Sequence, residues 1–311
     1  MRIKDLSPLE HAILRTVAYA DLFDYPLRAV EVHRYLDGTA ATLDDVTAAL
    51  QFGGSLRAFL DCQDGCYALI GRAEVVGASR KRRVAASLRL WPRASFYAKK
   101  IAGLPYVRMV AVTGALAMNN EGGQDIDYLI VTASGRLWLC RALVILLVRW
   151  AAGSGVTLCP NYFISERALV FAEHNLYTAH ELAQMVPVTG LPLYALLRRL
   201  NTWTGSYLPN AVGLPPTWNA SLDSSTGGKL KALAEAALRM PPAAWVESWE
   251  MQRKLRKFAS HGSSEAAFCA DWCKGHFGGY EQHTLDAFER QMSQFQLNAS
   301  DLLPIDLQIS S

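Results

Sequence analysis

The segment that most constrains this chain is residues 107–132, VRMVAVTGALAMNNEGGQDIDYLIVT, in which a glycine turn follows one apolar run and two aspartates open the next. Asp125 and Asp127 stand two apart at the start of a strand, so the two-residue period sends both carboxylates to one face, roughly 6 to 7 Å apart along the backbone. Ile126 and Tyr128 point the other way, and Leu129, Ile130 and Val131 continue as a run apolar enough to be covered on both faces. A core strand that surfaces with two hard oxygen ligands is a seat for Mg²⁺. Gly114, just past the first run, lets the chain turn sharply and brings main-chain N–H groups toward phosphate oxygens. Ten residues separate Gly114 from Asp125, room for a short helix and a return loop. The combination suits a nucleoside triphosphate, whose transfer chemistry depends on positioning and on neutralising phosphate charge.

Thr113, Gly114 and Ala115, followed by QDID at residues 124–127, resemble the signature of the DNA polymerase β-like nucleotidyltransferase superfamily, in which Gly-Ser or Gly-Gly precedes an Asp-x-Asp or Asp-x-Glu pair. The stretches AVTGALAMNN, LCPNYFIS, LYTAHELAQMVP and CKGHF extend the likeness to bacterial nucleotidyltransferase-domain proteins that carry an N-terminal winged helix. This resemblance implies Mg²⁺-dependent transfer of a nucleoside monophosphate, AMP from ATP, to a hydroxyl of a small molecule or protein, with release of pyrophosphate. It implies Asp125 and Asp127 as metal ligands, with Thr113, Gly114, Ala115 and Asn161 beside the nucleotide.

Two positions depart from the superfamily pattern. Ala115 stands where a serine hydroxyl often touches phosphate, which removes one hydrogen bond. The third acidic ligand falls on the strand of residues 156–165, where its counterpart is Asn161; an amide ligates through oxygen but brings no charge and is no base. Asn161 is otherwise a turn residue after Pro160. Glu181 or His180 then becomes the candidate proton acceptor, although Thr178 followed three residues later by Glu181 also reads as a capping box.

Elsewhere the chain divides by pattern. Residues 1–71 read as a winged helix-turn-helix: helical spacing over 8–19 and 29–36, a third helix capped by Thr42 or Asp44, and a hairpin around Asp64-Gly65. That third helix carries Asp44 and Asp45 and few basic residues, which favours protein contact or scaffolding over DNA. Residues 72–104 form a basic linker helix with Arg80, Lys81, Arg82, Arg83, Arg89, Arg93, Lys99 and Lys100, either a solvated face or a lining of the cleft. Residues 105–210 are the nucleotidyltransferase domain, including a buried crossover helix at residues 137–152 whose Arg136 and Arg141 are solvated helix-end charges or phosphate contacts. Residues 211–311 are read as a C-terminal helical domain forming the acceptor wall, with Trp245 and Trp249 used for packing. Lys274 and His276 are weaker candidates for reaching the site. The fold class is α+β: a winged helix, a minimal mixed sheet flanked by helices, and a helical C-terminal part.

Charge and cysteines set outer bounds. With 31 basic and 28 acidic residues the net charge is +3, so nucleic-acid binding is not written over the whole surface. Six cysteines without an apolar leader suggest a reducing cytoplasm, and no stretch suggests a membrane span. Cys269 and Cys273, spaced for one helical face, together with His276 and His283 are a remote zinc candidate, and Cys62 faces Cys66 across the hairpin. The expected partners are thus a nucleotide and an unidentified acceptor, with a protein partner through the winged helix. A nucleotide-binding pseudoenzyme and a DNA-binding regulator with a vestigial transferase domain are the competing expectations.

Overall fold

The computed structural model describes residues 6–52, 55–121, 125–153, 155–220, 222, 228–239, 241–259, 268–274 and 279–295. Gln124 and His276 lie outside them. The chain starts with α1 (Pro8–Asp21), opened by a capping box in which the Ser7 hydroxyl accepts from Glu10 N and the Glu10 carboxylate accepts from Ser7 N. β1 (Leu27–Arg28), α2 (Ala29–Arg34) and α3 (Leu43–Phe52) follow, and then a hairpin of β2 (Leu60–Gln63) and β3 (Cys66–Leu69). Thr42 caps α3 by accepting from Asp45 N. Asp64 and Gly65 both take positive φ, as a two-residue hairpin turn requires. The register pairs Cys66 with Gln63 and Cys62 with Tyr67, so the two thiols are not opposite one another. β1 pairs with β3 to make a three-stranded sheet.

α4 (Ala73–Ala102) leads into β4 (Val107–Thr113), α5 (Gly114–Ala117), β5 (Asp125–Thr132), α6 (Leu137–Ala152) and β6 (Thr157–Ser165). After these come α7 (Leu176–Gln184), β7 (Val186–Thr189), α8 (Leu191–Leu200), α9 (Thr204–Tyr207), α10 (Lys229–Ala237), α11 (Pro241–Ala259), β8 (Trp272–Lys274) and α12 (Tyr280–Gln294). The second sheet runs β7-β4-β5-β6-β8, with β5 and β6 parallel across the α6 crossover and the other neighbours antiparallel. The molecule is therefore α+β with two sheets. Its last hundred residues are not wholly helical: β8 completes the larger sheet, and Cys273 sits on that strand, not on a helix face shared with Cys269.

The larger sheet is covered on both sides. Ile126, Tyr128 and Ile130 of β5 pack with Ala94, Tyr97 and Ile101 of α4 and with Trp138 and Val144 of α6. Leu129 and Val131 face the other way, onto Leu182 of α7 and Tyr194 and Leu197 of α8. Each fully buried aliphatic or aromatic side chain here contributes about 1.5–3 kcal/mol relative to exposure. α6 buries only a stripe, leaving Leu146 and Trp150 exposed. Its first turn is closed by α11, whose Glu247 carboxylate accepts from Trp138 N and Leu139 N at 2.9 and 2.6 Å. Trp245 and Trp249 are exposed and stack on each other, so they do not pack into the core.

The third apolar cluster joins distant parts of the chain. Ile13, Leu14 and Val17 of α1, Val32 of α2 and Val46 of α3 share it with Leu176, Ala179 and Ala183 of α7 and Phe288 and Met292 of α12. α7 thus lies between the larger sheet and the first seventy residues. Among the described residues no helix is long and apolar enough to cross a membrane.

Candidate functional site

β4 and β5 place Thr113 directly across from Asp127. Gly114 follows at φ +65°, and its backbone lies so close to the Asp127 carboxylate that a Cβ would stand 2.5 Å from Oδ2. Glycine is needed twice here, for the left-handed conformation and for the close approach. The next residues are clamped by the N-terminal unit: the Met118 carbonyl accepts from the Tyr25 hydroxyl at 2.9 Å, and Asn120 Nδ2 donates to Phe23 O at 3.0 Å. Asn119 Oδ1 accepts from Trp91 Nε1 of α4. The sharp turn is held by side chains that arrive from up to a hundred residues earlier.

Asn161 reaches the same carboxylate through an irregularity in β6. Tyr128 pairs with Pro160 and Leu129 with Tyr162, which leaves Asn161 as an extra residue in the ladder. The slip explains why Leu158 and Phe163, an odd number of residues apart, face the same side of the sheet. Pro160 has no N–H to give to a ladder and suits such a bulge. Asn161 is therefore a strand residue and not part of a turn. Its Nδ2 donates to Asp127 Oδ1 at 2.6 Å.

These residues open onto a cavity of about 410 Å³. α7 supplies one wall with Tyr177, His180, Glu181 and Gln184, the i, i+3, i+4, i+7 stripe of a single helix face. α1 supplies another wall with Thr16, Tyr19 and Ala20, which Phe23 extends just past the helix end. The two walls touch where Tyr19 stacks on His180, ring centroids 4.2 Å apart. Tyr25, Leu27, Tyr35 and Met118 extend the apolar part, and Tyr280 of α12 closes one side. Most of the remaining lining thus comes from α1 and from Phe23, Tyr25, Leu27 and Tyr35 after it, while the C-terminal helices contribute Tyr280. α11 packs on the far side of the sheet, against the core that holds Ile126 and Tyr128.

Burial sets the proton affinities. The Asp127 carboxyl is pushed up to about 6, first by burial and then by Glu121 and Asp125, against the hydrogen bond from Asn161. Glu181 is pushed up to about 7 by burial, then by Asp127 and Glu281, with Lys274 opposing. His180 is pulled down to about 3 by burial, and its Nδ1 sits 3.0 Å from Gln184 Nε2. A neutral, stacked imidazole of this kind is a poor proton acceptor at neutral pH. Glu181 is better placed, because the α7 cap is Asn175, whose side chain accepts from Thr178 N. The Thr178–Glu181 capping box is absent, since Thr178 already lies inside the first turn.

Of the residues singled out in the sequence, Thr113, Gly114, Ala115, Asp127, Asn161, His180 and Glu181 all line this one cavity. Asp125 does not line it; it stands exposed at the edge, at the start of β5. None of the eight basic residues of α4 lines it either. Arg80 is buried against the N-terminal unit, donating to Pro26 O and pairing with Glu31 at 2.9 Å, while Lys81 pairs with Asp64. Arg136 and Arg141 lie over the Tyr106 and Trp138 rings. Lys274 is buried and paired with Glu281 at 2.7 Å. Among the described residues no group of three or more His, Cys, Asp or Glu side chains is placed to hold a metal ion. The aromatic wall escaped the sequence reading. Its signal is YADLFDYP at residues 19–26, four aromatic or proline landmarks in eight residues, most of which fall between the helical patterns of 8–19 and 29–36. The chain matches no family model, no curated protein and no solved structure.

Proposed function

We propose that the chain is a Mg²⁺-dependent nucleotidyltransferase of the polymerase β-like type, acting on ATP and a hydroxyl acceptor, with the first seventy residues as a winged helix used to build the site. The observation that carries this reading is the glycine turn pressed against the Asp127 carboxylate in the lining of a partly open cavity. Asp127 and the exposed Asp125 fit Mg²⁺, which takes one or two carboxylates and fills its remaining positions with water and substrate phosphate. A carboxylate pushed up by burial and by two neighbouring acids is the field that a divalent cation offsets. When bound, Mg²⁺ supplies charge neutralisation on the phosphates.

The chain's own groups do the rest. The Gly114 and Ala115 backbone presents N–H groups toward the phosphates, and Asn161 fixes the orientation of Asp127 by its short hydrogen bond. Glu181, with its affinity near neutrality, accepts the proton of the acceptor hydroxyl. The acceptor oxygen then bonds to the α-phosphorus as the bond to pyrophosphate breaks. The α1 and α7 walls keep bulk water from competing with the acceptor. Pyrophosphate release from ATP and Mg²⁺ in the presence of candidate acceptors tests the proposal. Release at the parent rate by an Asp125→Asn, Asp127→Asn protein would overturn it.

One observation favours a second reading, binding without turnover. Asn161 occupies the place of the third acid and presents its amide nitrogen, not its oxygen, to Asp127. Calorimetric ATP binding with no pyrophosphate released under any acceptor would select that alternative.

A further inference from the structure

The cavity is lopsided in charge. Asp127 and Glu181 line it, yet among the described residues its lining contains no arginine and no lysine. Cations close to its lining are engaged elsewhere: Arg83 donates to Phe23 O and Asn120 Oδ1 and pairs with Asp24, Arg80 pairs with Glu31, Arg15 with Asp37 at 2.6 Å, and Lys274 with Glu281. The Glu181 carboxylate makes no hydrogen bond or ion pair among the described residues, and the cation that acts on it is Lys274, already paired with Glu281. The phenols beside it feel the same field. Tyr19 and Tyr177 are both pushed up, first by burial and next by Glu181, with no cation acting against the shift. Around these carboxylates stand six aromatic rings, Tyr19, Phe23, Tyr25, Tyr35, Tyr177 and Tyr280; Tyr25 and Tyr35 already carry Arg80 and Arg34 over their rings and Tyr19 stacks on His180, which leaves Phe23, Tyr177 and Tyr280.

A partly open cavity with two carboxylates, aromatic rings and no arginine or lysine among its described lining residues discriminates among ligands. An anion there meets two carboxylates and no partner. A neutral ligand leaves the Glu181 carboxylate with no counter-charge beyond Lys274, which Glu281 already holds. An organic cation satisfies both features, pairing with the carboxylate and lying against ring faces whose quadrupoles are negative. We infer that the interior of this cavity binds an amine- or ammonium-bearing alcohol. This deepens the transferase reading and rests on it only for the fate of the hydroxyl, which becomes the acceptor; the phosphates stay at the Gly114 and Asp127 mouth. About 410 Å³ is the size of a small-molecule site.

The test is a calorimetric titration of the full chain, without nucleotide, using choline and ethanolamine and, as the neutral control, 3,3-dimethylbutan-1-ol, the carbon isostere of choline. The cations are expected to bind at least about tenfold more tightly than the isostere. Glu181→Gln is expected to remove that preference. Tyr177→Phe, which keeps the ring, is expected to retain it and Tyr177→Leu to weaken it. Equal affinity for the isostere, displacement of bound choline by adenosine, or no saturable binding of either cation up to about 10 mM overturns the inference. Failure here is separable from failure of the transferase reading. A protein that binds Mg²⁺ and ATP but prefers neutral alcohols loses the cationic acceptor and keeps the chemistry. One that binds choline but neither binds nor cleaves ATP loses the chemistry and keeps the cation site.

Discussion

Gly114 is the residue on which the local geometry turns. Any L side chain at φ +65° is strained by roughly 1–2 kcal/mol, and here the added carbon also collides with the Asp127 carboxylate. Gly114→Ala should therefore lower thermal stability by at least that amount and abolish ATP binding, read by melting and calorimetry on the same preparation. A variant that melts normally and binds normally would show that the turn relaxes without cost. Asn161 offers the opposite experiment. Asn161→Asp replaces a donor to Asp127 with a third carboxylate, so the metal-free protein should melt lower while its Mg²⁺ affinity rises by on the order of tenfold. Glu181 carries a pH signature. Its folded affinity, about 7, lies above the ordinary glutamate value of 4.5, so the folded state holds more protons between those limits. Stability should then fall as pH rises from about 4.5 to about 7, by on the order of 3 kcal/mol from this group. Asp127, raised from 3.8 to about 6, adds a fall in the same direction at slightly lower pH. Glu181→Gln should flatten the upper part of that curve in urea melts taken across the range, and an unchanged curve would remove Glu181 as its source.

Among the elements, those governed by a simple period were legible beforehand and those shaped by distant contacts were not. The strands β4, β5 and β6 and the helix α6 emerged near their observed limits because apolar runs bounded by Gly, Asp and Ser carry their own period. The hairpin was readable from Asp64-Gly65 for a local reason of the same sort. The start of α7 was misplaced, because Thr178 and Asn175 are both acceptable caps in isolation; Asn175 also donates to Glu281 of α12, at 2.6 Å, which only the folded chain supplies. The bulge at Asn161 was hidden for the same reason: parity slips show only when both strands are seen. The basic face of α4 read as solvent or cleft, yet part of it fastens the helix to the N-terminal unit. Arg80 lies over the Tyr25 ring at 4.4 Å while pairing with Glu31, and Glu31 also accepts from the Tyr25 hydroxyl at 2.8 Å. Removing one partner of a buried pair leaves an uncompensated charge and typically costs about 3–5 kcal/mol. Arg80→Ala should approach that cost in urea denaturation and weaken ligand binding, since Tyr25 lines the cavity. Arg82→Ala, at an exposed position two residues on, should stay within about 0.5 kcal/mol.

For the molecule as a whole, the site is not the property of one segment. The sequence divides at residue 71 by pattern, yet the apolar cluster of α1, α2 and α3 continues into α7 and α12, and the cavity lies where these parts meet the larger sheet. A shared core couples its contributors thermodynamically, because neither side buries its apolar surface without the other. The first helix spends one face on α7 and the cavity, so that face is not open to another molecule. Coupling of this kind has a direct readout. All eight tryptophans lie beyond residue 90, so their fluorescence follows the larger sheet and its helices. Cys66 is buried in the hairpin of the first unit, so its thiol becomes reactive when that unit opens. Pulse labelling of Cys66 along a urea titration, in a background where the other five cysteines are serine, should give the same midpoint as the tryptophan signal. Labelling that precedes the fluorescence change would mean that the first seventy residues open alone, and the aromatic wall would then be a movable cover whose release leaves the Asp127 end of the site folded.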